Sequence, residues 1–159
     1  KKPKTLWLPA YSCTSIAEAV YGTKTKIRYF PITKRFSPDC AFLKKNIKSG
    51  DAVLAIDYFG ANPANDFLKL ISVMPKIIWI EDRAQALLPS KNPWGDFIIY
   101  SPRKLLGVQD GGIIVSRKAR LPAIKNKPND KNIIYPAMLR FKDKGEKNNS
   151  VWYKGKHHL

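Results

Sequence analysis

The chain has 159 residues, of which 44% are hydrophobic, and this is enough for one domain with a real core. Two cysteines are too few for a disulfide framework or a four-ligand zinc site, and the two histidines are adjacent, so no metal site is expected. No apolar run is long enough to span a membrane, and no signal-peptide core follows the basic start, so we expect a soluble, cytoplasmic protein.

The net charge of +17 is unevenly distributed along the chain. Residues 1–50 carry eleven Lys or Arg and two acids, and residues 117–159 carry twelve and three, whereas residues 51–116 have a net charge of −1. A basic surface attracts phosphates, nucleic acid or acidic partners. Lysines used for solubility explain the charge equally well, because the flanks lack interleaved aromatics and a repeated basic motif.

Three helices are predicted from capping residues and apolar spacing. In the second of them, Ala41, Phe42 and Ile47 are expected roughly on one face. The three are residues 14–22, capped by Thr14 or Ser15 and stopped by Gly22, residues 37–51, capped by Ser37 or Asp39, and residues 62–75, closed by Pro75.

Four short apolar segments rich in β-branched residues predict buried strands. They are residues 51–60, 76–81, 96–101 and 111–116. Strands that are apolar on both faces and separated by helices indicate an α/β fold with a mainly parallel sheet. Ligands of such sheets bind beyond the carboxyl ends of the strands. The stretches "YFG", "EDRAQ" and "SPRK", which follow three of these strands, are therefore expected on one rim.

The motifs of the central chain occur in a specific order. An apolar strand precedes E-D-x-A-Q, a G-D strand precedes S-x-x-K, and a G-G strand follows. Together with "LPAYSCTSIAEAV" and "VLAIDYFG", they resemble the DegT/DnrJ/EryC1/StrS family of sugar aminotransferases, over roughly residues 8–116. The resemblance implies the aspartate aminotransferase fold, a pyridoxal 5'-phosphate cofactor, an amino-acid amino donor, a nucleotide-linked keto sugar or other small molecule as substrate, and a homodimer.

The resemblance also assigns roles to individual residues. Lys104 matches the lysine that forms a Schiff base with the cofactor and then moves the substrate proton. Asp82 matches the carboxylate that keeps the pyridine nitrogen protonated, which the electron-sink chemistry requires. Gln85 falls where the family has a His or Gln near the cofactor, and Ser101 would bind the phosphate, with Arg103 a weaker candidate.

Each of these residues also has an ordinary structural interpretation. Asp82 could cap a helix where a strand ends in solvent, and Glu81 beside it is interpreted as structural or solvated. Lys104 could be one of many surface lysines. For Ser101 alone, a turn-capping role is favoured, and Cys13 is interpreted as a small buried hydrophobic residue.

Two further positions are left open. Cys13 falls near the place where relatives stack an aromatic ring on the cofactor, so Tyr11 could substitute for it. In "DYFG", Asp57 or Tyr58 could contact the oxygen edge of the cofactor, in a register that the sequence does not fix.

The sequence is shorter than the family pattern. Residues 1–116 are interpreted as the cofactor-binding α/β domain, and residues 117–159 as a basic C-terminal segment that begins, or is a remnant of, a second domain. The small domain and a Gly/Ser/Thr-rich phosphate turn are largely missing, as in a fragment or a degenerate relative. The alternatives to an aminotransferase are a cofactor-binding relative without turnover and a basic nucleic-acid-binding module. The latter is disfavoured because no nucleic-acid motif or aromatic stacking platform is evident.

Overall fold

The structure, a computed structural model, describes residues 2–86, 89–106 and 111–121, which form one sheet flanked by helices. The strands are β1 (Thr5–Pro9), β2 (Lys26–Phe30), β3 (Ala52–Ile56), β4 (Ile78–Asp82), β5 (Phe97–Tyr100) and β6 (Ile113–Ser116). The helices are α1 (Thr14–Glu18), α2 (Cys40–Asn46) and α3 (Asn65–Val73).

The strand order is β2-β1-β3-β4-β5-β6. The first five strands are parallel, and β6 pairs antiparallel with β5, so the predicted mainly parallel α/β sheet is confirmed. From β1 the chain moves outward to β2 and then continues on the other side of β1 with β3. The winding therefore reverses between β1 and β3, and in parallel sheets a reversal of this kind opens a crevice at the carboxyl ends of the strands.

The sheet buries side chains on both faces, and the alternation of strand residues decides which face each side chain joins. The α2–α3 face holds Trp7, Val53, Ala55 and Trp79, packed against Leu43, Ile47, Phe67 and Leu70. The α1 face holds Leu6, Leu8, Leu54 and Ile56, packed against Ala17.

The helix caps and faces differ in part from the predictions. Asp39 caps α2, as predicted, because its Oδ1 accepts the backbone N–H of Phe42 at 2.9 Å. The predicted face of α2 is wrong at Ala41, which is exposed, whereas Leu43 and Ile47, four residues apart, are buried together. The predicted caps of α1 are also wrong, because both residues lie inside the helix and Cys13 precedes it without a side-chain capping bond.

Strands β1 and β2 lie in segments for which no strand is predicted. The edge strand β2 has a mostly exposed, charged sequence, KIRYF, which hides its strand character. None of the helices in the described ranges is long and apolar enough to cross a membrane. The predictions for residues 122–159 lie outside the described residues.

Candidate functional site

A cavity of about 270 Å³ lies at the carboxyl end of the sheet, where the winding reverses. Its size is just below the roughly 300–1,000 Å³ that is usual for small-molecule sites. It is lined by residues at or after the carboxyl ends of β1, β3, β4 and β5, namely Tyr11, Ser12, Cys13, Ile16, Ile56, Tyr58, Asp82, Ala84, Gln85 and Lys104. The predicted rim is thus where the structure has its cavity.

Asp82, the last residue of β4, points into this cavity from the α1 face. It is only 7% exposed, so its interpretation as a strand end in solvent is wrong. Its Oδ1 accepts the backbone N–H of Ala84 at 2.8 Å, and among the described residues its Oδ2 has no hydrogen-bond donor. Burial raises the pKa of the Asp82 carboxyl, while the Ala84 N–H and the positive charge of Lys104 act in the opposite direction.

Glu81 points to the opposite face of the sheet and is completely buried. Its Oε2 accepts the backbone N–H groups of Trp94 at 2.8 Å and Gly95 at 2.9 Å. The structural interpretation of Glu81 is therefore confirmed, and the solvated alternative is wrong. Only glycine fits at position 95, since a Cβ there would lie 2.6 Å from Cβ of Glu81.

Asp57 belongs to a buried charge network behind the cavity. Nη1 of Arg83 lies 2.6 Å from Oδ2 of Asp57 and 3.6 Å from Oε1 of Glu81. Nε1 of Trp94 donates to Oδ1 of Asp57 at 3.2 Å. Burial, together with the charge of Glu81, raises the pKa of Asp57 to about 7 against the opposing effects of Trp94 and Arg83. Asp57 does not line the cavity, whereas Tyr58 does.

Sequence reasoning missed this network, although strand alternation contains the signal. Ala55 pairs with Glu81 in the β3–β4 register, and Asp57 lies two residues after Ala55. Residues two apart along a strand share a face, so Asp57 and Glu81 fall on the same side of the sheet. Two acids on that face, with Arg83 two residues after Glu81 and so on the same face, indicate a buried ion pair.

Lys104 and Gln85 reach the same cavity from two different loops. Lys104 ends a short 3-10 turn after β5, held by its N–H, which donates to the carbonyl oxygen of Ser101 at 3.0 Å. Oε1 of Gln85 accepts the backbone N–H of Phe59 at 3.1 Å. The structure therefore brings Asp82, Gln85 and Lys104 around one cavity. Ser101 lines a separate, largely apolar cavity of about 480 Å³.

Cys13 also lines the cavity and is exposed, so its interpretation as a buried hydrophobic residue is wrong. It lies between β1 and α1, as the residue that directly precedes α1. Oγ of Ser15 donates to Sγ of Cys13 at 3.0 Å. This hydrogen bond lowers the pKa of the Cys13 thiol, and the charge of Lys104 contributes in the same direction.

Comparisons with solved structures identify the fold of this chain, whereas comparisons of its sequence find no match. No protein-family model matches the chain, and no curated protein matches its sequence. Among solved structures, GDP-4-keto-6-deoxy-D-mannose-3-dehydratase of E. coli with bound hydrated PLP has a TM-score of 0.58 at 22% identity, covering 73% of this chain and 32% of its own. NtdA of Bacillus subtilis with bound PMP has a TM-score of 0.61 at 20% identity, covering 76% and 29%. The chain has the aminotransferase fold.

A third structure extends the match. The putative sugar aminotransferase Spr1654 of Streptococcus pneumoniae, in its PLP form, has a TM-score of 0.60 at 15% identity and covers 87% of this chain. The chain spans 40% of that protein and about a third of the other two. This chain has a six-stranded sheet with a cavity at its carboxyl end.

Proposed function

We propose that the protein is a pyridoxal-phosphate-dependent aminotransferase of the DegT/DnrJ/EryC1/StrS family, and that it acts on a nucleotide-linked keto sugar with an amino acid as amino donor. One observation carries this proposal. A buried carboxylate, Asp82, and a lysine, Lys104, line one cavity at the winding reversal of a sheet with the aminotransferase fold. The cofactors and sugars named for the similar structures support it.

The residues around the cavity fit the ring of pyridoxal phosphate. A buried carboxylate is costly unless a cation or hydrogen-bond donors compensate for the lost water. Asp82 is such a carboxylate, and its Oδ2 has no donor among the described residues. A protonated ring nitrogen supplies both the charge and the donor. The cavity, at about 270 Å³, has room for a planar ring of this kind.

When bound, pyridoxal phosphate supplies an electron sink for negative charge that develops at the substrate carbon. In our proposal Lys104 holds the cofactor through its amine, and the same amine, once free, takes a proton from the substrate carbon and returns one. Asp82 keeps the ring nitrogen protonated. The Gln85 amide hydrogen-bonds without adding a competing charge. Ser101, which lines the other cavity, is proposed for the phosphate from the resemblance alone.

The larger organisation is also part of the proposal. Residues 1–116 would form the cofactor domain, and residues 117–159 would begin, or be a remnant of, a second domain. Two copies would form a homodimer. These statements rest on the resemblance to the family and extend it to this chain.

The cofactor-binding lysine can be identified directly. Pyridoxal phosphate is added to the wild type, to Lys104→Ala and to Lys76→Ala, and the yellow absorption band of the lysine-bound cofactor is recorded. Lys76 is the matched control, because it is exposed and lies just before the amino end of β4. We expect the band in the wild type and Lys76→Ala, and none in Lys104→Ala. Borohydride reduction followed by peptide mass spectrometry should place the pyridoxyl group on Lys104, and a label on another lysine would refute the assignment.

The same preparation separates turnover from binding alone. Addition of amino-acid donors should bleach the band of the wild type if the protein is an aminotransferase. A stable band with every donor tested would instead indicate a relative that binds the cofactor without turnover. Absence of the band, combined with salt-dependent retention of DNA, would favour the nucleic-acid-binding alternative.

A further inference from the structure

Four aromatic rings meet at the rim of the cavity. Tyr11, Phe36, Tyr58 and Phe59 contact one another with centroid separations of 5.4–6.2 Å. Tyr58 is buried beneath, whereas Tyr11, Phe36 and Phe59 are 61%, 42% and 70% exposed. We call these four residues the aromatic platform. Its rings come from three separate segments of the chain, which is why the sequence shows no stacking surface.

The backbone holds two of these rings in an unusual conformation. Phe36 has a φ of 57° and Phe59 a φ of 59°, and they are the only non-glycine residues with positive φ in the described ranges. Bulky side chains rarely adopt this conformation, and it persists where the surroundings fix it. Here the N–H of Phe36 donates to the carbonyl oxygen of Thr33, and the N–H of Phe59 donates to Gln85. Strained backbone that presents exposed rings is more typical of a binding surface than of a core.

Positive charge lies next to the platform. Residues 33–37 form a tight turn, closed by the N–H of Thr33, which donates to the carbonyl oxygen of Ser37 at 2.8 Å. The turn carries Lys34 and Arg35, both exposed, and neither forms a salt bridge with a described residue. Exposed rings bind planar heterocycles by stacking, and adjacent lysine and arginine side chains bind phosphate groups. Together they match a nucleoside that carries a diphosphate.

The platform and the cavity are continuous. Tyr11 and Tyr58 belong to the platform and also line the cavity beside Asp82 and Lys104. The hydroxyl of Tyr58 donates to the backbone carbonyl oxygen of Tyr11, which joins the loop after β1 to the end of β3. A molecule that rests on the platform therefore lies beside the cavity, with Tyr11 and Tyr58 common to both.

We propose that the aromatic platform and the turn at residues 33–37 bind the nucleoside diphosphate of the substrate, with the base stacked on Phe36 or Phe59 and the phosphates near Lys34 and Arg35. The placement of the attached sugar in the cavity rests on the proposed function. The nucleoside diphosphate contact is independent of it, because it requires no cofactor.

Calorimetry with UDP and with GDP tests the contact on the cofactor-free protein. Phe59→Gly and Phe36→Gly each remove a ring, and glycine accepts the positive φ, so the backbone is expected to keep its shape. We expect each change to weaken binding roughly 5- to 100-fold, the range of one stacking contact. Arg35→Ala should weaken binding of UDP more than that of uridine. Tyr21→Ala, which removes an exposed ring outside the platform, should leave the affinity unchanged.

Several outcomes would overturn the inference. The wild type could fail to bind UDP and GDP although it forms the yellow band, and this would reject the contact while keeping the proposed function. Binding of UDP or GDP without a yellow band would reject the proposed function while keeping the nucleotide contact. Glycine variants that convert a dimer into monomers with unchanged nucleotide affinity would make the platform a contact between copies. Tighter binding of oligothymidylate than of UDP, lost in the same variants, would assign the platform to single-stranded nucleic acid.

Discussion

At the scale of single residues, the adjacent acids of β4 illustrate how one strand serves two purposes. Side chains alternate along a strand, so Glu81 and Asp82 enter opposite faces of the sheet. Glu81 accepts two backbone N–H groups of the loop before β5 and has no access to solvent. Asp82 uses one oxygen for the turn that follows and lines the cavity. The first acid stabilises the fold, and the second is available for binding.

This division predicts different costs for the two substitutions. Glu81→Ala leaves the buried N–H groups of Trp94 and Gly95 without an acceptor, and each such group costs about 1–3 kcal/mol. Asp82→Asn keeps an oxygen for the N–H of Ala84 and removes a buried charge, so its free energy of unfolding should change by less than ~1 kcal/mol. Urea denaturation measures both. An equally large loss for Asp82→Asn would show that Asp82 is mainly a structural residue.

The close packing around Gly95 leads to a second prediction about a single residue. A methyl group at this position would meet Cβ of Glu81 at 2.6 Å and the carbonyl oxygen of Phe97 at 2.7 Å. Both strands would have to shift, so Gly95→Ala should lower the free energy of unfolding by about 1–3 kcal/mol. Gly112→Ala is the matched control, because its nearest contact would be an ordinary 3.7 Å. The two variants should differ clearly in urea denaturation, and equal midpoints would contradict the close packing.

At the scale of elements, a buried ion pair connects the residues that directly follow β3 and β4. Arg83 contacts Asp57 and lies within ion-pair distance of Glu81, so two carboxylates share one guanidinium. The N–H of Asp57 also donates to the carbonyl oxygen of Asp82 at 3.0 Å. The network therefore fixes the backbone that carries Asp82. Burial, and after it the negative charge of Glu81, raises the pKa of Asp57 to about 7.

The raised pKa predicts how stability depends on pH. Between the ordinary value of 3.8 and about 7, the folded state binds a proton at Asp57 that the unfolded state has lost. The free energy of unfolding therefore falls as the pH rises through this interval. Below the interval Asp57 does not affect it, and above the interval the full destabilisation by the buried charge of Asp57 is present. Asp57→Asn should remove this part of the pH dependence. Thermal denaturation of both proteins from pH 4.5 to 8 measures it, and parallel curves would show that Asp57 is ionised throughout.

The elements also show what sequence can and cannot predict. Strands β3, β4 and β5 are predicted because they are apolar and β-branched, and buried parallel strands require this composition. Strand β6 is also predicted from its apolar residues, but the prediction that it is buried is wrong, because it is a mostly exposed, antiparallel strand at the edge of the sheet. Strand β2 escapes prediction because an edge strand with one exposed face needs few apolar residues, and its residues are mostly exposed. The cavity residues Asp82, Gln85 and Lys104 are found through motifs whose positions at strand ends bring them together. The ion pair and the aromatic platform are missed because their members meet only through the sheet register and loop geometry.

At the scale of the whole molecule, the net charge of +17 is the dominant electrostatic feature. In the described part of the chain, the one salt bridge with an exposed cation joins Lys118 to Asp96 at 2.8 Å. The first fifty residues carry eleven basic side chains and two acidic ones, and most of the basic ones are exposed. Like charges at this density repel one another more strongly in the compact state than in the expanded chain.

Screening should therefore stabilise the protein. Raising NaCl from about 0.02 M to about 0.3 M shortens the Debye length from roughly 20 Å to below 10 Å and weakens repulsion between exposed lysines, while the buried Arg83–Asp57 pair is affected little. We expect the midpoint of thermal unfolding to rise by about 2–4 °C, equivalent to ~1 kcal/mol for a chain of this size. Sodium sulfate at equal ionic strength, applied to the wild type and to Arg35→Ala, distinguishes the cause. A larger rise that is lost in Arg35→Ala indicates anions bound at the turn that carries Lys34 and Arg35, because general screening and the general stabilising effect of sulfate remain in that variant. A midpoint that falls with NaCl would mean that attractive surface pairs outweigh the repulsion.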